Sequence, residues 1–318
     1  MTKRVVVTDH IFNDLDHEAA VAQKNQTEFA VFSAAVEQEA VVAATGADVA
    51  FVNFAPITRA VLAVLNPGAT VIRYGIGYDN IDTDAAKKLG IQVANVPDYG
   101  VATVANHASA SVLTLLRRIP MYDALIKSNG WAKPGDVVSI PGFEDTVIGL
   151  VGFGRIAQAV RDRLAPFGFT FVAYDPFCDA AIFHAQEVEE VTLEELARRS
   201  HAVTLHVPSS PETHHLVDAE FLARMRPGAV LINTARGPLV NTDALVEAIE
   251  SGHLAGAALD VTDPEPLPMD SRLRQYSQVL LTPHAAFYDQ GSLRKLQQYA
   301  SEEADRALNG LDLRCRVA

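Results

Sequence analysis

The stretch TVIGLVGFGRIAQAV, residues 146–160, decides the reading of this chain. It opens with an apolar run of the length and β-branched content expected of a buried strand. Gly152, Gly154 and Ala157 then fill the pattern G-x-G-x-x-[GA], and the residues after it continue with helical spacing. Strand, glycine turn and helix in that order give the motif its meaning. The first glycine permits a tight turn. The second lets the backbone approach a pyrophosphate, and the small third residue lets helix and strand pack closely. The N-terminus of the helix favours the anion. Arg155 and Ile156, at that N-terminus, are expected cofactor contacts. The next strand, TFVAYD (170–175), ends in Asp175. A carboxylate there accepts hydrogen bonds from adenosine ribose hydroxyls and repels a 2′-phosphate, so NAD is expected rather than NADP.

Working outward, four more apolar runs follow: AVTLHV (202–207), AVLINTA (229–235), GAALDV (256–261) and QVLLTP (278–283). Six such runs with helical stretches between them make a doubly wound sheet. Before the motif, RVVVT (4–8), VAFVN (49–53) and TVIRYG (70–75) alternate with helical patterns in the same way. Alternation of this kind implies parallel sheets covered on both faces. The expected fold class is therefore α/β, with two doubly wound parallel-sheet domains.

The boundary falls near residue 100, where NVPDYG (95–100) carries Pro and Gly. A long helical pattern follows, VATVANHASASVLTLLRRI, running to Pro120. A second long helix, about 289–309, comes after the last strand and can return to the first domain. The expected division is residues 1–100 plus 288–318 for one domain and 101–287 for an inserted dinucleotide-binding domain. No appended regulatory domain is expected.

Bulk properties narrow the partners. With 318 residues, 49% of them hydrophobic, the chain can build two cores. A net charge of −13 disfavours nucleic acid as a partner. Two cysteines, Cys178 and Cys315, make neither a disulfide framework nor a zinc site, which suggests a reducing, cytoplasmic setting. No metal is expected. The start, MTKRVVVTDH, meets Asp9 too early for a leader and is taken as the first strand, and no apolar run is long enough to span a membrane.

Ligands of open α/β sheets bind beyond the carboxyl ends of the strands. The polar groups placed there are His206 with Val207 and Pro208, Thr234 and Arg236, Asp260 with Glu265 close behind, and His284. Arg236, Glu265 and His284 form a chemically coherent set for hydride transfer to a 2-oxo acid. An arginine fork meets the substrate carboxylate, a histidine supplies the carbonyl proton, and a carboxylate orients that histidine. His214 and His215, being adjacent, are expected to point in opposite directions in a loop or at a helix start, and His107, which on the long helix could line the cleft between the domains, is expected rather in the core or on the surface.

These residues resemble the D-isomer-specific 2-hydroxyacid dehydrogenase family. The likeness rests on IRYGIGYDNID (72–82), GLVGFGRIAQAV, VPSSPETHHLV (207–217), MRPGAVLINTARGPLV (225–240), GAALDVTDPEP and LTPHAAF. It implies a discontinuous flavodoxin-like substrate domain, an inserted Rossmann domain and a homodimer. It assigns Arg236 to the substrate carboxylate and carbonyl, and Glu265 and His284 to the acid/base pair. Thr234, Asp260, His206 and Val207 become cofactor contacts, joined by Pro208, Thr213 and Ala235. Gly75, Ile76 and Gly77 become a loop whose N–H groups hold the substrate carboxylate, and Phe287 becomes a candidate pocket wall. Within the family, FGFTFVAYDPFC and TPHAAFYDQ look most similar to the C-terminal binding protein corepressors and their bacterial relatives. That likeness implies an alternative role, an NAD(H)-sensing regulatory scaffold.

Overall fold

A computed structural model describes residues 2–318. The chain divides into two compact units. One comprises the residues up to Gly100 together with Tyr288–Ala318, and the other Val101–Phe287.

The first unit holds β1 (Arg4–Val7), β2 (Glu28–Val31), β3 (Val49–Val52), β4 (Thr70–Arg73) and β5 (Gln92–Ala94) in one parallel sheet, ordered β2-β1-β3-β4-β5. That order is the flavodoxin-like winding. The sequence reading finds β1, β3 and β4 and misses β2 and β5. The reason is physical: β2 is an edge strand, EFAV, with no buried residue, so it lacks the apolar run that marks a covered strand. The helix Gln290–Leu308 belongs to this unit. Asp289 caps it, accepting from the Ser292 N–H at 2.6 Å, and Gln297 donates from Nε2 to the Asp14 carbonyl at 2.9 Å.

The second unit holds β6 (Val147–Val151), β7 (Thr170–Tyr174), β8 (Glu189–Glu190), β9 (Ala202–Leu205), β10 (Ala229–Asn233), β11 (Leu254–Leu259) and β12 (Val279–Leu281). All pair in parallel, in the order β12-β11-β10-β9-β6-β7-β8. From β6 onward this is the Rossmann winding extended by one strand. β9, β10 and β11 are buried along their whole length, which is why they read as unbroken apolar runs. Alternate residues feed two cores. Ile148, Leu150 and Ile232 meet the helices Val101–Leu116 and Arg155–Leu164 on one face, and Val151, Leu231 and Leu259 meet Leu196, Phe221 and Leu245 on the other. The sequence misses β8, two exposed glutamates on the far edge.

The helix expected to run to Pro120 ends instead at Leu116. Arg118 takes a left-handed φ of 55°, and Pro120 lies in the first turn of a second helix, Ile119–Asn129. Proline suits a first turn because its missing N–H has no partner there anyway.

Candidate active site

The site begins at the switch between β6 and β9, where the winding of the second sheet reverses. Gly152 follows β6 with φ 85°. A Cβ there would lie 2.8 Å from Val207 Cγ1 and 3.0 Å from the His206 carbonyl, so only glycine lets this turn pass. Gly154 is the exposed N-cap of the next helix and offers no side-chain cap to it. A helix N-terminus of this kind favours an anion. Exposed Arg155 and half-buried Ile156 open the helix, and fully buried Ala157 allows the close packing. Asp175, just past β7, accepts from the Phe153 N–H at 2.8 Å and the Phe177 N–H at 3.0 Å, which fixes its carboxylate beside the glycine turn.

Past β9, Thr213 Oγ1 donates to the Pro208 carbonyl and accepts from the Ser210 N–H, each at 2.8 Å. This ties off the loop that carries His206, Val207 and Pro208. Burial pushes the His206 imidazole down to about 3, so it is neutral, with Nε2 3.1 Å from Thr204 Oγ1. Past β10, fully buried Asn233 accepts from the Ala235 N–H and donates to the Arg236 carbonyl at 2.7 Å, shaping the turn that presents Thr234 and Arg236. Thr234 Oγ1 is buried without a hydrogen-bond partner. A cavity of about 200 Å³ lies alongside, lined by His107, Ser111, Thr234, Asp260, Leu281 and Thr282. An uncapped helix start, an approachable glycine turn, a placed carboxylate and an orphaned hydroxyl together fit a bound dinucleotide.

The contact between His284 and Glu265 is assembled by Asp260, whose side chain is 1% exposed. Its Oδ1 accepts from Thr282 Oγ1 at 2.5 Å and from the Ala285 N–H at 2.8 Å, and its Oδ2 accepts from the Ala286 N–H at 2.9 Å. The His284 N–H donates to the Asp260 carbonyl at 2.7 Å. These bonds hold His284 at φ 52°, a region that non-glycine residues seldom occupy. His284 Nδ1 then lies 2.8 Å from Glu265 Oε1. An ionised carboxylate only accepts, so Nδ1 carries the hydrogen of this contact. The His284 hydrogen bond, followed by the charges of His284 and Arg236, holds the Glu265 carboxyl below its ordinary value. Arg236 Nη1 donates to the Ala235 carbonyl at 2.7 Å. The Phe287 ring meets His284 edge-on, with centroids 6.1 Å apart.

Arg236, Glu265, His284 and Phe287 thus belong to one unit with the dinucleotide loop. Gly75, Ile76 and Gly77 lie in the first unit, on the loop after β4, where Gly75 accepts from the Val96 N–H and Ile76 from Asn95 Nδ2. The sequence reading misses three residues of the site: Asn233, Gly237 and His107. His107 Nε2 sits 3.2 Å from Thr282 Oγ1, on the Asp260 network, rather than as plain core or surface. Gly237 packs so closely that a Cβ would stand 2.0 Å from the Thr262 carbonyl oxygen. A buried asparagine after an apolar strand and the glycine of ARG-P were the signals available for two of them. Among the described residues, no helix is long and apolar enough to cross a membrane.

A family model for the NAD binding domain of D-isomer specific 2-hydroxyacid dehydrogenases matches residues 109–286. The chain is 40% identical over 226 residues to a D-3-phosphoglycerate dehydrogenase of Mycobacterium bovis, covering 70% of this chain and 42% of that enzyme. It therefore spans less than half the length of that relative. It is 36% identical over 234 residues to a glyoxylate reductase of Korarchaeum cryptofilum, covering 73% of this chain and 70% of that one. Its fold is similar to the crystal structure of an Aquifex aeolicus D-lactate dehydrogenase complexed with NAD and lactic acid, with a TM-score of 0.83, 25% identity and 97% and 96% of the two chains covered. These matches do not show the closer likeness to the C-terminal binding proteins. The domain match runs over residues 109–286, more than half of the chain and the part that holds the glycine turn and His284, and with the reductase relative it shows that the chain belongs to the D-isomer specific 2-hydroxyacid dehydrogenase family.

Proposed function

We propose that this chain is an NAD-dependent oxidoreductase that interconverts a small 2-oxo acid and its D-2-hydroxy acid. The observation that carries the proposal is the His284–Glu265 contact at 2.8 Å, set next to the Arg236 charge and on the same unit as the dinucleotide loop. Gly152, Gly154, Arg155 and Asp175 hold the dinucleotide, with Thr234 Oγ1 a ready donor in the adjoining cavity. When bound, the nicotinamide supplies a hydride to the carbonyl carbon or takes one from the hydroxy acid. Arg236 pairs with the substrate carboxylate through its guanidinium fork. Its field also favours charge developing on the carbonyl oxygen. His284 gives a proton from Nε2 to that oxygen during reduction and recovers it during oxidation. Glu265 holds Nδ1–H, and so fixes which nitrogen is exchanged and stabilises the imidazolium. In this reading the Gly75–Gly77 loop offers the carboxylate the N–H groups of Ile76 and Gly77, the Gly75 N–H donating to the Arg73 carbonyl at 2.9 Å, and Phe287 forms a wall of the pocket. The homodimer and the cytoplasmic setting belong to the same proposal.

The test is a panel of 2-oxo acids, glyoxylate and pyruvate included, read by loss of NADH absorbance. At least one should be reduced, and His284→Ala should lower kcat by about 10²–10⁴-fold while NADH still binds. Tight NADH binding with no turnover across the panel would overturn the proposal.

A further inference from the structure

The loop between β9 and the helix Ala219–Arg224 contains PETHHL, whose two histidines take no part in the chemistry above. Adjacent residues in extended chain point apart, and the sequence reading expects that here. The structure differs. His215 adopts φ 51°, and this left-handed turn brings the His214 and His215 rings to the same side, with centroids 4.0 Å apart and planes inclined by 31°. Asp263 reaches the pair from the loop after β11. One ligating atom from each of the three lies within 4.8 Å of the others.

We propose that His214, His215 and Asp263 form a binding site for a divalent transition-metal ion, with Zn²⁺ as its natural probe. Two imidazole nitrogens and one carboxylate oxygen, completed by water, are a ligand set that suits zinc. Mg²⁺, which prefers oxygen ligands and keeps its waters, has little to gain from two imidazoles. His214 is exposed and His215 half-buried, so solvent and ions can reach the cluster. Both ligand segments are already anchored to the same stretch of chain. The His215 N–H donates to the Pro238 carbonyl at 2.8 Å, and Thr242 Oγ1 donates to the Asp263 carbonyl at 3.1 Å. A bound ion therefore links the PETHHL loop directly to the loop that carries Glu265, two residues beyond Asp263, in addition to their shared anchor at residues 238–242. The ion braces that loop without touching the reacting atoms.

The experiment uses the full chain, stripped of metal, in a Cys178→Ser, Cys315→Ser background so that thiolates do not compete. Calorimetric titration with Zn²⁺ should give one ion per chain. His214→Ala and Asp263→Asn should each weaken that binding at least ten-fold, and both should keep the parent's urea midpoint. His184→Ala, which removes an exposed histidine on another helix, should leave the binding unchanged. Mg²⁺ should give no comparable heat. Saturating Zn²⁺ should slow amide exchange in residues 212–217 and 262–266 together. Zinc affinity that is absent from the parent, or that survives both ligand substitutions, or that falls equally in the His184 variant, rejects the site. The binding and exchange readouts need no dinucleotide and no turnover, so they stand apart from the dehydrogenase proposal.

Discussion

Gly237→Ala is the substitution that best probes how the site is held. Gly237 follows Arg236, and its backbone presses against Thr262 and Asp263 at the base of the Glu265 loop. A Cβ built there would stand 2.0 Å from the Thr262 oxygen, 2.2 Å from its carbonyl carbon and 2.8 Å from the Asp263 nitrogen. Real Cβ contacts essentially never fall under 3.0 Å, so the two segments must separate by at least 1.0 Å, the difference between 3.0 and 2.0. Every clashing atom is backbone, and no rotamer change relieves it. Overpacking typically costs about 1–3 kcal/mol, and a clash of backbone origin belongs at the upper end, near ~3 kcal/mol. The displacement lies directly between Arg236 and Glu265. A misplacement of ~1 Å can cost about 10²-fold in rate, or ~2.7 kcal/mol of transition-state stabilisation. The assay is kcat/KM for the best 2-oxo acid by NADH absorbance, with urea unfolding followed by circular dichroism on the same protein. Gly135→Ala is the control, because a Cβ there meets nothing within 4 Å and its backbone is not left-handed. If Gly237→Ala stays within about 0.5 kcal/mol of the parent and within about three-fold in kcat/KM, the close approach does not position the site, and the reasoning fails.

Three further outcomes are expected. Asp260→Asn keeps the shape but turns one acceptor into a donor facing an N–H or hydroxyl, so the second unit should lose about 2 kcal/mol in urea unfolding and kcat should fall with it; unchanged stability would contradict the role given to Asp260. Glu265 has its folded value lowered, so the stability it contributes is present above its ordinary 4.5 and is lost as pH falls through the lowered value. Glu265→Gln should therefore flatten the acid-side decline of the urea midpoint below 4.5, and an unaltered decline would show that the His284 pair does not contribute. Asp175→Asn should narrow the preference for NADH over NADPH by about ten-fold in Kd, or ~1.4 kcal/mol, and a preference that does not move places the discrimination elsewhere.

What was legible in the sequence follows from burial. β9, β10 and β11 are covered on both faces, so nothing polar interrupts them and their ends can be marked to within a residue or two. His206, Thr234 and Asp260 were found for that reason: each follows the last residue of a strand, and His284 stands three residues past Leu281, the end of β12. Edge strands carry no such mark. EFAV and the glutamates of β8 face solvent and look like loop. The pairing of His284 with Glu265 was reached by chemical role and by family likeness, since the path of a Pro-rich loop is not written in any spacing. His214 and His215 show the opposite failure. Alternation of side chains predicts divergence, and a single left-handed residue reverses it.

Asp260 is where the two kinds of information meet. Its position is legible as the polar end of a buried strand, but its three acceptor bonds, all to residues 282–286, are not. Those bonds have a specific task. A non-glycine residue held at positive φ costs about 1–3 kcal/mol, and His284 is held there. Three neutral hydrogen bonds would contribute about 3 kcal/mol together, enough only to balance that strain at its upper end, whereas bonds to a buried carboxylate contribute about 1.5–3 kcal/mol each and exceed it. The charge of Asp260 therefore gives the local order its margin, and a neutral acceptor in the same place holds His284 less firmly beside Glu265. The geometry at residue 284 is in this sense set at residue 260, just past the end of β11.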